Sequence, residues 1–170
     1  MKKILFPIAF GLLFICVSCN EQKSGLSATA QKNLKAFHAV DTAFQTGDIS
    51  RIDEVVASDF VDHTEKGNMG RDSLKVMITR MRSAGTMKSE VKKEFADDEY
   101  VMAWMRWTGN SNGSMEGMPA GPYDMTAIEV VRFKDGKAVE HWAFMEPREM
   151  MKMMGAAQQP PPPAPTSTDK

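Results

Sequence analysis

Apolar residues recur at the helical period over 28–46, where Leu34, Phe37, Val40 and Phe44 fall on one face and Gly47-Asp48 stops the run. A shorter helix is expected over 50–57, with Ile52, Val55 and Val56 inward. The segment DFVDHTE then has the character of a short strand containing His63. Residues 67–70 are turn-rich, and 71–84 returns to helical spacing through Leu74, Met77, Ile78 and Met81. Beyond Gly85 four strand-like runs follow, at 87–96, 99–108, 123–133 and 137–146. Asp97-Asp98 and Asp135-Gly136 supply tight connections, and GNSNGSMEGMPAGP forms a long Gly-rich loop between the middle strands. Helices first and strands after predict an α+β domain, its antiparallel sheet covered on one face.

The ends carry a different message. Met1-Lys2-Lys3 precedes an apolar stretch from Ile4 to Val17, shorter than the roughly 20 residues a membrane-spanning helix needs and suited to a secretory signal. The following CVSCNEQKSG resembles the lipobox of bacterial lipoproteins, with Ser18 before Cys19 and with Cys16 where those boxes favour Leu. That resemblance implies a signal peptide over 1–18, lipidation of Cys19 and a polar tether over 19–27. A redox or metal role for C-x-x-C fits poorly, because Cys16 leaves with the cleaved peptide. Where a cell has two membranes, Asn20, rather than the Asp that retains many lipoproteins at the inner membrane, favours an outer-membrane anchor facing the periplasm. The Pro-rich stretch 155–170 cannot pack a core and is expected to be disordered, which leaves one domain over 28–154.

Charge excludes one class of partner. Loss of Lys2 and Lys3 with the signal moves the formal net charge from −1 to −3, and no basic stripe suits nucleic acid. Cys16 and Cys19 are the only cysteines, so the mature chain has none for an internal disulfide. No P-loop, dinucleotide fingerprint, Ser-centred elbow or His-Glu-x-x-His zinc motif is present, so neither a cofactor nor a metal is expected.

The order of elements, with FVDHTEKGNMGRDSL and GMPAGPYDMTAIEVVRFKDGKAVEHW in sequence, resembles the SnoaL-like branch of the NTF2-like superfamily over about residues 30–147. The resemblance implies a cone in which three N-terminal helices close on a curved antiparallel sheet, often paired through that sheet into a homodimer. It also implies an internal pocket for a small molecule, with His63 at its mouth. The family's cyclases use an Asp as acid/base just after His-Trp, a position that Ala143 occupies here, so Glu129 or Asp62 would have to substitute. The Asp–Arg–Asp set of the superfamily's epoxide hydrolases finds no match in this sequence.

The turn between the last two strands decides what faces the pocket, because a one-residue slip exchanges the two faces. A three-residue loop, Lys134-Asp135-Gly136, sets Glu129 opposite His141, with Ala127, Val131, Val139 and Ala143 on the same side. The other side then carries Ile128, paired with Trp142, and Val130 and Phe144. A two-residue loop would bring Glu129 against Trp142 instead. In the first register Glu129 raises the pKa of His141 and orients it as an acid or base, or the two simply satisfy each other. His63 is the second imidazole candidate, catalytic or structural.

Tyr100, Trp104 and Arg106 share one strand parity, and Val101, Met105 and Trp107 the other. Whichever Trp faces inward offers a flat wall to a ring-shaped ligand, or simply fills the core; one facing outward suits a dimer interface. The candidate ligand contacts are Trp104, Trp107, Tyr123, Trp142 and Arg106. The chain holds 15 methionines, which suit either an adaptable apolar lining or soft copper ligands, and REMMKMM a short terminal helix. Two functional classes stay open. One is a lipid-anchored pocket protein that binds a small apolar or aromatic molecule, with or without acid/base chemistry. The other is a non-enzymatic dimeric scaffold with a filled cone.

Overall fold

A computed structural model describes residues 25–115 and 118–153; the expected signal peptide over 1–18, Cys19, most of the expected tether over 19–27 and the Pro-rich stretch 155–170 lie outside the described residues. Helix α1 (Ala28–Thr46) begins at Ser27, whose hydroxyl accepts from the Ala30 N–H at 2.9 Å. It ends at Gly47, in the left-handed region with φ 81°, whose N–H returns to the Ala43 carbonyl. A single turn, α2 (Ile52–Val55), buries Ile52 and Val55. Strand β1 (Val56–Thr64) starts earlier than periodicity suggests, because Val56 already pairs with Ala138 and cannot stay helical.

The expected turn at 67–70 is instead a short strand, β2 (Gly67–Met69), folded back on β1. Helix α3 (Arg71–Ser83) buries Leu74 and Ile78. Strands β3 (Gly85–Ala96), β4 (Tyr100–Ser111), β5 (Gly121–Lys134) and β6 (Lys137–Met145) follow, then α4 (Pro147–Met153), which packs on β5. The Gly-rich loop is shorter than expected, since Asn110 and Ser111 pair with Pro122 and Gly121 and extend the ladder from both sides.

The strand order is β2-β1-β6-β5-β4-β3 in one curved six-stranded sheet, and α1 and α3 cover its concave face. Contrary to a purely antiparallel sheet, β1 and β6 are parallel. That pairing matters most for the site, because it sets Asp62 beside His141 across 79 positions of chain. The core joins Phe37, Ile52, Phe60, Ile78, Met105 and Phe133 between helices and sheet.

The β5–β6 turn is two residues, Asp135-Gly136, both with positive φ (55° and 78°), as the tightest hairpin requires. Lys134 therefore pairs with Lys137, not Phe133 with Lys137. A bulge at Val139 then inserts one residue into β6, so Phe133 faces Ala138 but Arg132 faces Glu140. The register settles with Glu129 opposite Ala143, Val131 opposite His141 and Val130 opposite Trp142. The bulge restores the parity that the short turn removed. Glu129 and His141 share the concave face as diagonal neighbours, and Ala138 replaces Val139 as its inward residue.

Candidate functional site

A cavity of about 250 Å³ lies between α1, α3 and the sheet. It exceeds the 150 Å³ void that holds benzene and falls just under the usual range of ligand pockets, room for a one- or two-ring molecule. Met77, Met81, Met87, Met105, Met125 and Met145 line much of it, which accounts for part of the methionine excess as soft, adaptable wall. Trp107 adds an indole. Among the lining side chains only Asp41, Asp62, Glu129 and His141 are ionisable.

Three of these form a chain. The Nδ1–H of His141 donates to Asp62 Oδ1 at 2.7 Å, and its Nε2–H donates to Glu129 Oε2. Each member comes from a different strand: β1 supplies Asp62, β5 Glu129 and β6 His141. All three side chains are mostly buried, Asp62 to the greatest degree, at 6 % exposure. Burial works against the charged imidazole, but the hydrogen bonds to Asp62 and Glu129 and the charge of both carboxylates outweigh it. The His141 pKa rises from 6.5 to about 10. His141 is thus an imidazolium at neutral pH and cannot accept a proton there. Glu129 Oε1 has no hydrogen-bond partner among the described residues, which makes it a free acceptor atom on a cavity-lining carboxylate.

His63 does not reach the cavity. It neighbours Asp62 on β1, so alternation sends it to the convex face. There its ring stacks on Trp142, with centroids 4.7 Å apart and planes 6° from parallel, and its Nε2 meets Glu140 at 3.2 Å. Trp142 is therefore outside as well. Arg106 lies on the same face, bound to Asp124 through Nε at 2.8 Å and Nη2 at 2.6 Å.

Trp104 also faces outward, 49 % exposed, because the register against β5 places Met105 and Trp107 on the inner side. Tyr123 shares the parity of the cavity residues but is committed elsewhere. It sits opposite Gly109, where a Cβ would come within 2.6 Å of the phenol oxygen, and its hydroxyl donates to the Thr86 carbonyl at 3.0 Å. Of the expected ligand contacts, only Trp107 lines the cavity.

Asp41 is not among the residues predicted from sequence, although its signal is present: a carboxylate at i+4 from Phe37 and i−3 from Phe44, within the apolar stripe of α1. Asp62 surfaced only as a substitute acid, since nothing local marks a residue for parallel pairing with a distant strand.

A family model described as SnoaL-like polyketide cyclase matches residues 34–153. Among curated proteins no sequence matches this one. Solved structures share the fold. TsrD from Streptomyces laurentii is 21 % identical with a TM-score of 0.64, over 78 % of this chain and 99 % of its own. An LEH-like epoxide hydrolase from M. tuberculosis is 15 % identical with a TM-score of 0.62, over 75 % and 88 %. IdmH from Streptomyces antibioticus is 20 % identical with a TM-score of 0.60, over 72 % and 98 %.

Proposed function

Because the chain belongs to the SnoaL-like polyketide cyclase family, we propose that its cone binds a small apolar or aromatic molecule and moves a proton on it. The observation that carries this reading is an apolar cavity with a carboxylate–imidazolium–carboxylate chain in its wall. Glu129 accepts the proton through Oε1, and His141 holds that carboxylate in place and offsets its charge. Asp62 anchors the far side of the ring. The Asp that the family's cyclases place after His-Trp is Ala143 here, so the base comes from β5 instead. A carboxylate, a cation and a second carboxylate also repeat the charge order of the superfamily's epoxide hydrolases, with imidazolium in place of guanidinium. The open cavity speaks against a cone that is merely filled scaffold.

The activity this supports is abstraction of a proton next to a carbonyl. In D₂O the full chain should speed deuterium incorporation beside the carbonyl of β-tetralone, and Glu129→Gln should lower the catalysed rate at least about 100-fold. Exchange that Glu129→Gln leaves intact removes Glu129 from the chemistry.

The convex face suits a homodimer. Phe95 pairs with Met102, Trp104 with Ile128, and Ile128 with Phe144. Phe95 and Phe144 are 64 % and 58 % exposed. Such a contiguous apolar patch normally marks an interaction surface. Light scattering should give a dimeric mass that Trp104→Glu halves; a monomeric wild type ends this reading. The lipobox resemblance supports export and anchoring through Cys19, and recovery of the chain from the cytoplasm of its own cells would contradict it.

A further inference from the structure

Asp41 is a carboxylate in an apolar wall that the proposed proton transfer does not use. It sits on α1, facing β3, where its Oδ2 accepts from Ser89 Oγ at 2.7 Å and from Gln45 Nε2 at 3.0 Å. Those two bonds fix its orientation. Oδ1 has no hydrogen-bond partner and Asp41 has no ion-pair partner among the described residues. Ser89 lies directly opposite Trp107 in the β3–β4 ladder, which brings the two side chains within roughly 5 Å. Carboxylate and indole thus share one corner of the cavity.

That corner is separate from the imidazolium. Trp107 pairs with Met125, and Glu129 lies four residues further along β5, about 13 Å away. No Lys or Arg lines the cavity, and its single cation, His141, is already held between two carboxylates. A carboxylate-bearing ligand would meet fixed negative charge at both ends and find no donor cation. A cation beside Asp41 would gain a charge-assisted hydrogen bond and contact with an indole, in a half-buried corner.

We propose that the cavity selects apolar amines, with the ammonium held between Asp41 and Trp107 and the hydrophobic body lying along the methionines toward Glu129. This rests on the reading of the cone as a ligand pocket and names the class of molecule it takes.

The test is a matched series with one aryl body, naphthylmethylamine, naphthylmethanol and naphthoate, titrated calorimetrically into the full chain. The amine should bind at least about tenfold tighter than the alcohol, as a hydrogen bond between charged groups would give, and the acid should not bind measurably. Asp41→Asn keeps the shape and an acceptor oxygen; it should bring amine affinity down to that of the alcohol and leave alcohol affinity unchanged. Trp107→Phe should weaken the amine several-fold more than the alcohol. Equal binding of all three ligands, or an amine preference that survives Asp41→Asn, overturns the amine site and leaves the pocket standing. Failure of all three to bind overturns the pocket and the amine site with it.

Discussion

His141→Ala should destabilise the protein by about 3–5 kcal/mol at neutral pH, the usual result of removing one partner from a buried ionic cluster. The loss comes less from the vanished hydrogen bonds than from what remains. Asp62 and Glu129, with side chains 6 % and 14 % exposed, would face one another without the cation that joins them. Chemical denaturation of both proteins measures the difference. A companion variant separates charge from packing. Replacing Asp62, His141 and Glu129 together with leucine should recover most of the stability, because hydrophobic residues of similar volume commonly match a buried ionic triad. That variant should also lose the exchange activity, the outcome expected where the polar chain is kept for chemistry and not for folding. A His141→Ala penalty below about 1 kcal/mol would mean that water reaches both carboxylates and that the cluster is effectively exposed.

Stability should also fall as the pH rises above about 6.5, the region in which most proteins are steady. Burial alone would lower the His141 pKa, but its bonds to Asp62 and Glu129 and their charges raise it from 6.5 to about 10 in the folded chain. A raised imidazole contributes its full stabilisation below the unfolded value, where both states hold the proton. Between 6.5 and about 10 the folded state binds one proton more than the unfolded state. In that window unfolding becomes easier by about 1.4 kcal/mol per pH unit, and above it the contribution is gone. Denaturation at stepped pH gives the slope, and the leucine triple variant should lack it. The His141 ring resonances give the same result residue by residue, remaining those of an imidazolium to well above pH 8. A midpoint at or below 6.5 would show that burial prevails over the two carboxylates.

Much of this architecture was legible because its signals are local. The bounds of α1 follow from a 3.6-residue stripe closed by Gly47, and the β5–β6 hairpin from Asp135-Gly136. That Glu129 and His141 share a face was also anticipated, though through a different register. A two-residue turn flips the parity, and the bulge at Val139 flips it back. Bulges leave no compositional mark, so the detailed pairing could not be inferred even where the face could. His63 was placed at the mouth by family likeness, but strand alternation gives the inward position to its neighbour Asp62. The Trp104–Trp107 choice stayed open because both parities offer an aromatic; Glu129, Ala127 and Met125 on the paired strand settle it in favour of Trp107.

The amino-acid sequence by itself determined the α+β class, the order of the longer helices and strands (though not the short β2) and the supply of carboxylates, imidazole, indole and thioethers. Each of these depends on residues within a turn or two of one another. Only the tertiary structure decided which of those groups meet. Asp62 joins His141 because β1 runs parallel to β6, and Asp41 meets the Trp107 corner because α1 crosses β3. Such contacts join segments separated by tens of residues, and their partners are chosen by the collective packing of sheet and helices, for which no local pattern carries a signature.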